Sequence, residues 1–130
     1  MSDIPTDLLY TEDHEYVKST DEDGVWIIGI TDYAQGELGD IVFVELPKAG
    51  QTFGRKDTFG TVEAVKAVSD LYLPISGEIV AVNNGLASDP GVINSDPYGD
   101  GWMVRVRASD ASDIDQLLGP EEYGKHVGAG

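Results

Sequence analysis

The stretch "TVEAVKAVSDLYLPI", residues 61–75, decides how the rest of the chain is read. Its ends, "TVEAV" and "LYLPI", are rich in β-branched and aromatic residues and read as strands. Between them, "KAVSD" opens on Lys66, one of only five lysines in 130 residues, set between Val65 and Ala67. Lysine is rarely buried without a partner, so this ammonium must snorkel, pair with an acid, or stand out in solvent. If the two runs pair as a hairpin, Lys66 lies at or beside the turn with its side chain free. An amine there, with an ordinary pKa near ~10.4, is cationic and a poor nucleophile unaided. Nothing near it in sequence offers the second cation or deep apolar pocket that would activate it for Schiff-base chemistry. Two readings stay open on these residues alone: a solubilising turn lysine, or an amine displayed on a rigid hairpin for acylation.

Working outward, strand signals dominate. "EYVKS" (15–19) and "GVWIIGI" (24–30) flank "TDEDG", whose Asp23-Gly24 pair is a hairpin turn signal. "DIVFVELP" (40–47), "DTFGTVEAV" (57–65), "GEIVAV" (77–82) and "GWMVRVRA" (101–108) complete a set of short strands. Turn signals between them include Asn84-Gly85, Asp89-Pro90, Asp96-Pro97 and Asp100-Gly101. This spacing predicts an all-β sandwich or barrel with short peripheral helices. One helix is expected where Asp32 and Gln35 resemble a capping box and Gly39 stops the chain. A second is expected in "SDASDIDQLLG" (109–119), with Ile114, Leu117 and Leu118 on its apolar side and Gly119 as terminator. Without a linker or a repeat, residues 1–130 read as one domain, with 125–130 a fraying tail.

Composition narrows the function. The 24 acids against 8 bases give a formal charge of −16, which repels nucleic acid and anionic membrane alike. With no cysteine, there is no disulfide, thiolate zinc site or cysteine nucleophile. No apolar run approaches the ~20 residues of a membrane span. The opening "MSDIPTDLLYTED" is acidic and lacks a basic leader or an Arg-rich transit pattern, so the cytoplasm is the expected location.

Other chemical motifs fall away. His14 and His126 lie at opposite ends of the chain, which argues against a two-histidine metal site, and His14 reads as structural. "NSDPYGD" (94–100) has the beginning of an EF-hand loop, but Arg105 stands at the twelfth position where glutamate is required. "GRKDTFGT" (54–61) lacks the Gly-Lys-Ser/Thr ending of a P-loop. Trp26 and Trp102 sit in strand-like runs and read as core. No acid, base and nucleophile set emerges, so the residues alone make no case for an enzyme.

The segment "VEAVKAVSDLYLPISGEIVAVN" (62–83) resembles the lipoyl-lysine segment of the glycine cleavage system H proteins. "YTEDHEYV" (10–17), "GITDYAQGELGDIVFVELPKAG" (29–50), "LASDPGVINSDPYGDGWMVRV" (86–106) and "LLGPEEY" (117–123) fall in that family's order and spacing. The likeness spans about residues 8–124. Biotinyl domains usually carry methionines beside the lysine; Val65 and Ala67 stand here instead. Tyr16 stands where the family usually has tryptophan, Ala64 replaces a common serine, and Glu37 occupies a position where some members have histidine.

The resemblance implies a barrel-sandwich hybrid of two antiparallel sheets. It implies lipoic acid joined to Lys66 as an amide by a lipoate ligase or lipoyltransferase. The arm so made would serve glycine decarboxylase, aminomethyltransferase and dihydrolipoyl dehydrogenase in turn, moving an aminomethyl group from the first to the second. On the residues alone, Glu63 and Asp70 read equally as solvated turn acids and Glu15 as a surface charge on an edge strand. With the resemblance, Glu63, three residues before the lysine, would be read by the ligase, and Asp70 and Glu15 would line a cleft that docks the loaded arm. Three alternatives remain on sequence: a carrier for another lipoate-dependent complex, a relay that donates lipoyl groups to other proteins, and an unmodified acidic scaffold.

Overall fold

The structure, a computed structural model, describes residues 4–127. The strands are β1 (Leu9–Tyr10), β2 (Glu15–Ser19), β3 (Val25–Ile30), β4 (Ile41–Glu45), β5 (Thr52–Phe53), β6 (Thr58–Ala64), β7 (Val68–Tyr72), β8 (Gly77–Val82) and β9 (Val104–Ala108). Helices α1 (Asp32–Leu38), α2 (Val92–Ser95) and α3 (Pro120–His126) are short, with single 3₁₀ turns at Asn84–Ala87 and Ala111–Gln116. Six strands form one antiparallel sheet in the order β1-β2-β3-β9-β8-β5, and three form another in the order β4-β6-β7. This is the expected all-β barrel-sandwich. Alternation along the strands turns Val17, Ile28, Val104 and Val106 of the large sheet toward Val44, Val62 and Leu71 of the small one, all buried in a common core.

A smaller aromatic cluster closes one end. Tyr10 and Tyr123 stack with centroids 4.6 Å apart and planes 8° from parallel, which docks α3 onto β1. Tyr16 is fully buried and donates to the Pro97 carbonyl at 2.6 Å. The tyrosine thus fills its buried position and satisfies its own polar end.

The turns fall where glycine was expected to permit them, Gly24 at φ +79 and Gly39 at φ +83. Other expectations need correction. Strand β7 begins at Val68, not at Leu71, because Val68, Ser69 and Asp70 pair with Glu63, Val62 and Thr61 of β6. The β6–β7 link therefore shrinks to Val65–Ala67. Helix α1 is capped by Thr31, whose Oγ1 accepts from Ala34 N at 3.2 Å, while Gln35 Nε2 donates to Asp32 Oδ1 at 2.7 Å. Gly119 terminates nothing: it is the N-cap of α3, its N–H donating to Glu122 Oε1 at 3.1 Å, with Pro120 supplying the fixed φ of a first helical residue. The segment before it makes only a 3₁₀ turn, and Lys125 and His126 are helical where fraying was expected; 128–130 lie outside the described residues. Trp26 is half-buried and packs against the core, as expected, whereas Trp102 stays outside it, half-buried 5.4 Å beneath the Arg105 guanidinium.

Candidate functional site: a lysine-tipped hairpin beside an acidic cleft

Strands β6 and β7 form the expected hairpin, and Lys66 is at its tip. Ala64 N donates to Ala67 O at 2.7 Å, so only Val65 and Lys66 make the turn. Val65 N donates to Asp40 O at 3.0 Å, which pins the turn to the segment leading into β4. Lys66 is exposed, and no ion pair joins it to an acid among the described residues.

Its side chain crosses Gly39. A Cβ built on that glycine would lie 2.7 Å from Lys66 Cε, nearer than atoms approach. Gly39 also adopts φ +83, ψ −157, a backbone region held essentially by glycine alone. We expect Gly39→Ala to cost about 1–3 kcal/mol, measured by thermal unfolding, because the backbone has no unstrained alternative there. The lysine, being flexible, would yield and leave its seat.

That seat is fixed from a distance by Asn94. Its Nδ2 donates to Gly39 O at 2.9 Å and to Gln35 Oε1 at 2.8 Å, and its Oδ1 accepts from Ile41 N at 2.8 Å. Sequence reading weighed this residue only as a rejected calcium ligand. Its role depends on a long-range contact with no local pattern.

Beyond Gly39 opens a cleft of about 220 Å³. Its floor is apolar, from Ile30, Leu38, Val62 and Leu71, and its rim carries Asp13, Glu37 and Asp70, with Glu15 deeper. Among the described residues lining it, His14 is the sole basic side chain. The cleft suits a slender, partly apolar group with a cationic end.

The structure thus gathers two of the three acids singled out in sequence. Asp70 is exposed on the β7 wall. Glu15 lines the cleft from β2 but is 2% exposed, which is not the edge-strand surface charge its sequence position also allowed. Strand β1 covers β2, and Glu15 stands opposite Ile30. Its oxygens accept from Thr11 Oγ1 at 2.7 Å and Tyr72 N at 3.3 Å. Burial pushes its carboxyl up to about 8, outweighing the Thr11 and Tyr72 hydrogen bonds that pull it down. Glu63 stays outside the cleft, exposed on the outer face of the hairpin.

The raised Glu15 value has a measurable consequence. The folded chain keeps a proton that the unfolded chain releases above about 4.5, so this residue favours folding in acid. Its contribution is lost as pH rises through about 8. Glu15→Gln should match the parent near pH 4 and exceed it near pH 9 by an amount on the order of a few kcal/mol, read from denaturant melts across that range.

His14 sits in the left-handed region at φ 70 and lines the cleft. Its Nδ1 pairs with the Tyr123 hydroxyl at 2.9 Å, and that hydroxyl also meets Thr31 Oγ1 at 2.7 Å. Burial, then the neighbouring His126, lowers its pKa, so the neutral ring prevails at neutral pH. The two histidines, distant in sequence, come to 5.6 Å between ring centroids. Even so, no group of three or more His, Asp or Glu among the described residues is arranged to hold a metal. Glu37 lines the cleft and accepts from Tyr33 Oη at 3.4 Å.

Comparison with known proteins gives a consistent result. Residues 8–129 match the family model for glycine cleavage H-protein. The glycine cleavage system H protein of Listeria innocua is 52% identical over 122 residues, covering 94% of this chain and 96% of the relative. That of Carboxydothermus hydrogenoformans is 50% identical over 125 residues, covering 96% and 95%. The crystal structure of a glycine cleavage system H protein from Mycobacterium marinum superposes with a TM-score of 0.88 at 42% identity, covering 96% of this chain and 99% of that one. On match lengths and identities of this size, the chain belongs to the glycine cleavage H-protein family.

Proposed function

We propose that this chain is the lipoyl-carrying H component of a glycine cleavage system, a single carrier unit bearing lipoate as an amide on Lys66. The observation that carries the reading is Lys66, exposed on a pinned two-residue turn with its side chain lying over Gly39 and no ion pair among the described residues. When bound, lipoate supplies a disulfide that opens to take up a one-carbon unit and closes on reoxidation.

The chain's own residues present, receive and shield. The rigid turn holds the amine clear of the sheets, where a lipoate ligase or lipoyltransferase reaches it and reads Glu63 on the same hairpin. Tethering then raises the local concentration of the arm's end at each docked enzyme. Those enzymes are glycine decarboxylase, aminomethyltransferase and dihydrolipoyl dehydrogenase. In the cleft, the apolar floor excludes water, and Asp70 faces a cationic cargo with a carboxylate. Glu15, held near 8, ionises when such a cation arrives to stabilise its charge. The chain itself acts as a carrier without catalytic activity, and we place its work in the cytoplasm. No helix among the described residues is long and apolar enough to cross a membrane.

The test is direct. Incubated with a lipoate ligase, lipoate and ATP, the chain should gain the mass of one lipoyl amide, mapped by peptide sequencing to Lys66. It should then support glycine decarboxylation with the three purified partner enzymes. An unmodified chain, or an adduct on another lysine, overturns the reading.

A further inference from the structure

Among the described residues, four large hydrophobic side chains are exposed: Val42 at 53%, Phe43 at 48%, Val65 at 74% and Val68 at 68%. Scattered single exposed apolar residues need no explanation, but these four share the lysine-tipped hairpin and the strand beside it. Val65 precedes Lys66 in the turn, and Val68 opens β7 just after it. Glu63 on β6 is paired with Phe43 on one side and Val68 on the other, so an apolar side chain flanks it on both neighbouring strands. The ladder is irregular between Ile41 and Phe43, a bulge that leaves Val42 unpaired with β6 and turned out beside Phe43. Burying Phe43, Val65 and Val68 within the fold was open to neither the edge strand nor the tip. Their exposure calls for a covering partner.

We infer that this apolar quartet is the seat of the enzyme that acylates Lys66, and that the enzyme meets it with an apolar face rimmed by lysine and arginine. The inference rests on the assignment of Lys66 above. Two observations select this occupant. First, the quartet lies on the turn and strands that present Lys66; the acylating enzyme must hold that nitrogen, whereas enzymes that act later reach the far end of a long arm. Second, the surround is acidic: Asp40, Glu45, Glu63 and Asp70 are exposed, and Lys66 is the only base in residues 41–46 and 58–72. A net charge of −16 sets this face against a second copy of itself and favours a basic partner.

The test uses the full-length unacylated chain as substrate for a purified lipoate ligase. Val65→Ser/Val68→Ser and, separately, Phe43→Ser should raise KM about tenfold or more with kcat nearly unchanged, the size expected when central apolar anchors are removed. The parent's KM should also rise with salt. Thermal midpoints check folding; because Val65 and Val68 are the most exposed of the four, the double variant stays informative if Phe43→Ser unfolds. Parent-like kcat/KM in the folded double variant overturns the inference. So does normal acylation with a defect confined to the decarboxylase reaction, which would give the face to a later partner, or a parent dimer abolished by the substitutions in sedimentation. A parent that is not acylated at Lys66 at all would instead defeat the functional assignment.

Discussion

Lys66→Arg is expected to leave the fold intact and abolish carrier activity. The side chain is exposed and makes no ion pair among the described residues, so the loss of stability should be within about 0.5 kcal/mol, the usual range for a surface change. Arginine keeps the positive charge and most of the length, but its guanidinium stays protonated and forms no lipoyl amide. Intact mass after ligase treatment should show no adduct, and glycine decarboxylation with the partner enzymes should fall to the level without carrier. The other four lysines provide the internal control. Residual activity above that level would mean that one of them is modified, and the hairpin would lose its assigned role.

Tyr123→Ala should give the largest loss of stability. The ring is fully buried, stacks on Tyr10, and bonds through its hydroxyl to both His14 and Thr31. Burial pushes the phenol up to about 12, so at neutral pH it serves those bonds as a neutral hydroxyl. Truncating a buried aromatic costs about 3–5 kcal/mol. For a chain of this size that lowers Tm by on the order of 10 °C. Tyr123→Phe keeps the stack and removes only the hydroxyl, at about 1 kcal/mol. The alanine variant should also loosen the cleft wall, because His14 is held in its left-handed conformation beside this phenol. Hydrogen exchange at residues 11–15 reads that effect, and unchanged protection there would show that α3 and the cleft are independent.

Much of this architecture was legible because it depends on neighbouring residues. Strand-forming runs such as "GVWIIGI" and "DIVFVELP" declare themselves by composition, and Gly24 and Gly39 by the conformations only glycine takes comfortably. The hairpin bearing Lys66 was legible for the same reason. What escaped depends on residues that meet only after folding. Gly119 looks like a helix stop until Pro120 and Glu122 are seen to begin one. Glu15 looks like an edge charge until β1 covers its strand. His14 and His126 give no sequence hint of their proximity, since the docking of α3 on the aromatic cluster brings them together. The lysine's assignment rests on resemblance along the whole chain, since its spacing alone favours an ordinary turn lysine.

The amide of Asn94 uses two donors and one acceptor at once, on Gln35, Gly39 and Ile41. Aspartate, though nearly the same shape, would keep the acceptor and present an oxygen to two other oxygens. Spontaneous loss of that amide nitrogen during the protein's lifetime would therefore unfasten the saddle over which the Lys66 side chain lies. An old molecule would melt earlier and lose aim.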